Sequence, residues 1–166
     1  MATLRALCLS LIAAGAALAA EPTLPGKDPV PEQFPKGYRS WTHVKSALAT
    51  PAFPSTDTPG GLHHIYANDK AMEGLKSGTF PDGAALVFDL LSVREKNGLV
   101  AEGPRHRVDV MVKDSTAYPK SGGWWFGRFM GDEWATEVLT PGQRSACFQC
   151  HQQPRARDYV ISEFRK

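Results

Sequence analysis

Apolar and polar positions alternate most cleanly between Arg105 and Lys113. His106, Val108, Val110 and Val112 fall on one face, and Arg107, Asp109 and Met111 on the other. A period of two is the mark of a strand whose faces meet different surroundings. The same reading predicts strands over Thr42 to Ala49, Leu62 to Ala67, Ala84 to Val93 and the aromatic run Trp124 to Met130, with a last strand over Tyr159 to Phe164. Between them, Asn68 is placed to cap a short helix over Asp69 to Lys76, and Gly78 to stop it. Thr140-Pro141-Gly142-Gln143 introduces a second helix over about Arg144 to Gln153, ended by Pro154. Phe80-Pro81-Asp82-Gly83 reads as a turn, as does the stretch around Tyr118 to Gly123; Thr50 to Gly61 reads as a loop. Glu95 to Gly98 and then Gly103-Pro104 read as a long connection. Five or six strands against two or three short helices predict a predominantly β (α+β) fold: an antiparallel sheet with a few short helices, the C-terminal one included. The pattern differs from a four-helix bundle.

The N-terminal third changes this picture only at its start. Arg5, the apolar run Ala6 to Ala17 and the small-x-small Ala17-Leu18-Ala19 read as a secretory signal peptide over residues 1–20. That leader is too short and wrongly flanked for a membrane span, and it predicts a periplasmic protein free of the membrane after cleavage. Prolines at 22, 25, 29, 31 and 35 make residues 21–37 an extended arm. One domain over 38–166 remains, starting at Tyr38-Arg39-Ser40-Trp41. Apolar residues make up 42% of the chain, enough for a core. The formal charge is +2, and +1 without Arg5; no basic stripe with interleaved aromatics argues for a nucleic-acid partner. Losing Cys8 with the leader leaves two cysteines, so no disulfide framework is expected.

Both remaining cysteines stand in Cys147-Phe148-Gln149-Cys150-His151, the attachment pattern of a c-type haem. On one helical turn, two thiols reach the two vinyl groups of a single porphyrin, and the adjacent imidazole turns onto the iron. The competing readings are a redox Cys-x-x-Cys pair, half of a zinc site, or chance. A zinc site needs four ligands, and no second pair at a suitable spacing is evident. A dithiol oxidoreductase is expected beside a βαβ pattern, which this tail lacks.

A resemblance narrows the reading. Tyr38-Arg39-x-Trp41, a strand ending in Tyr66 before a short helix, Gly78-Thr79-Phe80-Pro81-Asp82-Gly83, Asp89-Leu90-Leu91-Ser92-Val93, Val112-Lys113-Asp114-Ser115, the Trp124 segment and Cys147 to His151 occur in the order found in the cytochrome P-460 family. The chain resembles that family from about Tyr38 onward, and most closely its cytochrome c′-beta branch. The resemblance implies one covalently attached haem c, His151 as proximal ligand, a high-spin iron with an open distal position, and frequent dimerisation. In the hydroxylamine-oxidising members a lysine cross-linked to the porphyrin stands at the fifth position after the turn glycine. Here that position is Phe88, which cannot form the bond and which matches the aromatic cap of the c′-beta branch. The same matching puts Asp109 where the enzymes have a distal carboxylate, a candidate proton relay whose alternative is a strand residue paired with Arg107 or Arg105. His63 falls where the family tends to place a polar distal group; it and His64 face opposite sides of one strand.

Arg155 and Arg157 are candidates for a haem propionate, or else a basic tail at a helix C-terminus. Met72, Met111 and Met130 are conceivable sixth ligands, with core packing as the commoner role. The leading expectation is an exported protein whose five-coordinate iron binds small gases, nitric oxide or carbon monoxide, for nitric oxide capture or sensing. One alternative is a peroxidase-like or hydroxylamine- or nitric-oxide-oxidising enzyme with Asp109 as proton relay. Another is a six-coordinate electron carrier with a small redox partner.

Overall fold

The computed structural model describes residues 34–50 and 60–165. The expected leader, most of the arm and most of the Thr50 to Gly61 loop lie outside the described residues.

Five strands form one antiparallel meander in chain order: β1 (Thr42–Ala49), β2 (Gly61–Ala67), β3 (Ala85–Lys96), β4 (Leu99–Lys113) and β5 (Trp124–Met130). Helix α1 (Asp69–Ser77) links β2 to β3, and α2 (Pro141–His151) follows β5. The mainly β, antiparallel class expected from periodicity is what the chain forms. No helix of the described residues is long and apolar enough to cross a membrane.

The alternation of side chains sorts the core into two layers. One sheet face carries Ile65, Leu86 and Phe126, with Phe88 and Met111 partly buried beside them. Both helices cover it: Ala71 and Met72 come from α1, and Cys147 and Phe148 from α2. The opposite face carries Val87, Val108, Val110, Trp125 and Phe129. It is covered by the N-terminal segment through Phe34 and Tyr38. Phe34 lies in the stretch read as an extended arm, and it is buried edge-on against Phe129 at 5.0 Å. Trp124 and Trp125 are neighbours in sequence, both buried, and belong to different layers.

Two differences from the expected elements have clear causes. The supposed long connection after Val93 is a tight hairpin. Asn97 and Gly98 both have positive φ, 54° and 78°, as a two-residue turn matched to strand twist requires. Gly103 and Pro104 do not end the strand. They oppose Ser92 where the β3–β4 register shifts, which makes a bulge that absorbs an unpairable proline. The segment after α2 is also not a strand: residues 160–165 join no ladder. Val160 is buried and Phe164 partly buried against the α1 side of the core, so their alternation reports burial alone.

The turn Phe80-Pro81-Asp82-Gly83 is held to the end of β4. Ser115 donates to Asp82 from its backbone N–H and its hydroxyl, each at 2.8 Å, and the Gly83 N–H donates to the Lys113 carbonyl at 2.8 Å. Asn68 caps α1 by accepting from the Ala71 N–H at 2.9 Å, and the same oxygen accepts from the Ala85 N–H at 3.0 Å. One side chain thereby ties the helix start to β3.

Candidate functional site

Helix α2 starts on a capping box. The Thr140 hydroxyl accepts from the Gln143 N–H, and the Gln143 side chain accepts from the Thr140 N–H, with Pro141 in the first turn. The helix therefore begins three residues earlier than the expected Arg144, and its last residue is His151. Arg144 fastens it to the sheet edge. Its guanidinium donates to the Phe126 carbonyl at 2.6 Å and pairs with Glu137.

On this helix Cys147 and His151 stand one turn apart, with Cys150 three residues after Cys147 on the adjoining positions. Neither cysteine is in a disulfide; Cys147 packs against the helix-covered core and Cys150 is exposed. The His151 ring lies 5.2 Å from Phe126. Its Nδ1 is 2.8 Å from the Tyr159 carbonyl oxygen. A carbonyl only accepts, so Nδ1 carries the proton and Nε2 keeps its lone pair, the arrangement a metal-ligating histidine needs. Burial pushes the His151 pKa below its ordinary value, against the opposing effect of the Tyr159 bond, which keeps the imidazole neutral.

The turn that supplies this carbonyl is unusual. Asp158 and Tyr159 both have left-handed backbones, φ 50° and 66°. Each costs on the order of 1–3 kcal/mol for a residue with a side chain. No sequence pattern marks a backbone oxygen as a partner, and this one was not legible before the fold.

Phe88 lies in the middle of β3, on the face that α2 covers. Its ring stacks on His63 of β2, with centroids 4.7 Å apart and planes 25° from parallel. His63 Nδ1 is buried with no hydrogen-bond partner. Burial, then the charges of Lys45 and His64, lower its pKa, so it is neutral at pH 7. His64 turns to the other side, as alternation requires, with Nδ1 2.6 Å from the Ser46 hydroxyl and Nε2 2.8 Å from Glu102.

Asp109 is directly opposite Phe88 in the β3–β4 register, and Arg128 is opposite Asp109 in β5. Arg107 Nε donates to Asp109 at 3.0 Å, and Arg128 donates from Nε and Nη2 at 2.6 and 3.0 Å. Both carboxylate oxygens are thus engaged. Arg105, the other candidate partner, turns away to Asp89 on the opposite face. Arg128 had no signal of its own in the sequence. Lys45 was hidden for another reason: the β1–β2 register shifts between His43 and Lys45, so Lys45 pairs with Ile65 and joins the row of Ile65, Phe88 and Asp109.

The structure therefore brings Cys147, His151 and Phe88 to one side of the sheet, with His63 and Asp109 beside Phe88. Arg155 sits apart, exposed in a single 3-10 turn (Arg155–Arg157) and lining a shallow cleft of about 500 Å³ with Lys113, Ser115 and Asp158. Met72 is buried in the core, Met111 is partly buried against it, and Met130 is exposed.

A neutral imidazole whose Nδ1 meets the Tyr159 carbonyl, two cysteines within one helical turn and outside any disulfide, and partly buried apolar side chains in the same cluster fit a thioether-linked macrocycle. Fold and site together define a c-type haem protein built on an antiparallel sheet rather than on a helical bundle. The family model of Cytochrome P460 matches residues 35–162, and the chain belongs to that family, whose haem c is covalently attached. No curated protein matches the chain at a significant level.

Proposed function

We propose that this protein is a periplasmic member of the c′-beta branch that binds small diatomic gases and serves to capture or sense nitric oxide. The observation that carries the reading is Phe88: an aromatic ring, stacked on His63, at the position where hydroxylamine-oxidising relatives have a cross-linking lysine.

When bound, the haem supplies an iron with one coordination position left for a ligand. His151 would hold the iron through Nε2 while Cys147 and Cys150 hold the macrocycle. Phe88 offers no hydrogen-bond donor, and its ring would crowd a ligand bound beside it, which would disfavour water and dioxygen more than nitric oxide or carbon monoxide. Asp109 acts here as the bridge between two guanidinium groups. Using it as a proton relay would require breaking bonds to Arg107 or Arg128, so the site suits binding better than oxidation. The leader over residues 1–20 supports export before haem attachment.

The unpartnered His63 nitrogen favours a second reading, a six-coordinate electron carrier. Spectra of the purified ferrous protein with and without carbon monoxide separate the two. The gas-binding reading expects a high-spin spectrum that changes on addition of the gas. A low-spin spectrum that carbon monoxide leaves unchanged would establish the carrier instead. A haem–protein cross-link beyond the two thioethers, seen by mass spectrometry, would favour an oxidising enzyme.

A further inference from the structure

We propose that Asp158, held by Lys113, is a positioning residue that sets the strength of the hydrogen bond from His151 to the Tyr159 carbonyl, and through it the donor strength of the proximal imidazole. Two consecutive left-handed residues, neither of them glycine, persist only where their surroundings over-determine them. The Asp158 carboxylate accepts from Lys113 Nζ at 2.7 and 2.8 Å and from the Phe80 N–H at 3.0 Å. The Asp158 carbonyl accepts from the Trp124 indole N–H at 2.8 Å. Side chain and carbonyl of one residue are thus both fixed, and the peptide that follows leads directly to the Tyr159 oxygen.

Lys113 is itself held. It is buried at the end of β4, donates to the Gly122 carbonyl at 2.8 Å, and its Nζ lies 5.1 Å from the Trp124 ring centroid. Gly122 leaves the room that the Tyr159 ring occupies: a Cβ there would come within 2.2 Å of Tyr159 Cε2. The Tyr159 N–H also returns to the Pro154 carbonyl at 3.2 Å. The groups that fix this turn come from the end of the sheet, from the Phe80 turn and from the segment before it, and Phe148 of α2 adds a ring contact to Tyr159 at 5.3 Å. The hydrogen bonds from Lys113 and Trp124 therefore tie the acceptor for His151 to the sheet as well as to the helix that carries the histidine.

An imidazole that donates a strong Nδ1 bond is more electron-rich at Nε2 and a stronger iron ligand. Loosening the turn weakens that bond. The test uses haem-loaded protein carrying Asp158→Asn, Lys113→Met or Lys113→Arg. Asp158→Asn retains a side chain that tolerates the left-handed backbone and removes only the charge. The expected result is a higher midpoint potential for Asp158→Asn and Lys113→Met, with Lys113→Arg returning most of the way to wild type. In a five-coordinate ferrous protein the iron–histidine stretching band should move to lower frequency in the same order. The potential is the readout that does not depend on an open distal position. Wild-type potentials in both loaded variants would overturn the proposal. So would loss of haem uptake in both, because the thioether bonds do not depend on the His151 hydrogen bond.

Discussion

At the scale of single residues, the haem motif was legible because its chemistry is local: Cys147, Cys150 and His151 meet on one helical turn. The groups around it were legible only in part. Alternation correctly sent His63 and His64 to opposite faces, but it could not show that His63 would stack on Phe88, which needs the β2–β3 register. That contact carries two predictions. If Phe88 caps the ligand position as proposed, Phe88→Ala should speed ligand association roughly tenfold, the factor that about 1.4 kcal/mol of barrier represents. Stopped-flow mixing of the ferrous protein with carbon monoxide measures it; an unchanged rate would place the cap elsewhere. His63 carries the second. Its folded-state pKa is lowered by burial and by Lys45 and His64, so the unfolded chain takes the proton first. Stability is then complete above the ordinary histidine value of about 6.5 and declines as pH falls below it. Urea unfolding across that range should show the decline in the wild type and a flatter profile in His63→Leu.

At the scale of elements, strands were found where alternation was clean and misread where a breaker stood inside one. β1 and β5 run over the residues expected. Gly103-Pro104 reads as a connection because proline cannot join a ladder. The protein instead places it where β3 and β4 reach past their other neighbours: β2 pairs with β3 no further than Leu91, and β5 pairs with β4 no further than Arg107. Proline's missing N–H is thus not needed by a third strand. Ser92 accommodates the bulge, its hydroxyl donating to the Pro104 carbonyl at 3.1 Å. Helix α2 shows the converse: its start signal acts from Thr140, ahead of the expected Arg144. Its capping box satisfies N–H groups at the open end of the helix that bears the haem ligands. Thr140→Ala should lower stability by about 1 kcal/mol, the usual cost of a lost hydroxyl cap. Thermal unfolding of the loaded protein measures this, and a loss near zero would mean that Arg144 and Glu137 alone fix the helix.

At the scale of the whole molecule, the helix-covered side and the back of the sheet are held by different means. Burial and the two helices close the first. The back is closed by a short N-terminal segment anchored on one carboxylate. Asp89 is fully buried. It accepts from Tyr38 Oη at 2.6 Å, from Arg105 Nε at 2.7 Å and from Arg39 Nε at 3.0 Å, so the segment, β3 and β4 converge on it. Burial alone would raise its pKa, but the bonds from Arg105 and Tyr38, followed by that from Arg39, outweigh burial and lower it. A carboxyl group with a depressed folded pKa contributes stability that is present above its unfolded value, about 3.9, and is lost as pH falls through the folded one. Acid should therefore release the N-terminal segment from the back of the sheet. Asp89→Asn removes the charge at every pH and takes the buried carboxylate from Arg105 and Arg39, which keep Asp132 and Glu102 as partners, so the cost should stay below the roughly 3–5 kcal/mol of a buried pair broken outright. Its unfolding midpoint in urea should drop accordingly, and the steep loss of stability below about pH 4, where an unfolded carboxyl group titrates, should shrink. Phe88 and Asp89 are neighbours on β3 with opposite directions, so the same strand carries Phe88 on the helix-covered face and the anchor on the other. Loss of the anchor that leaves carbon monoxide binding intact would show that the two faces work independently. A parallel loss would show that the back layer holds β3, and with it Phe88, in place.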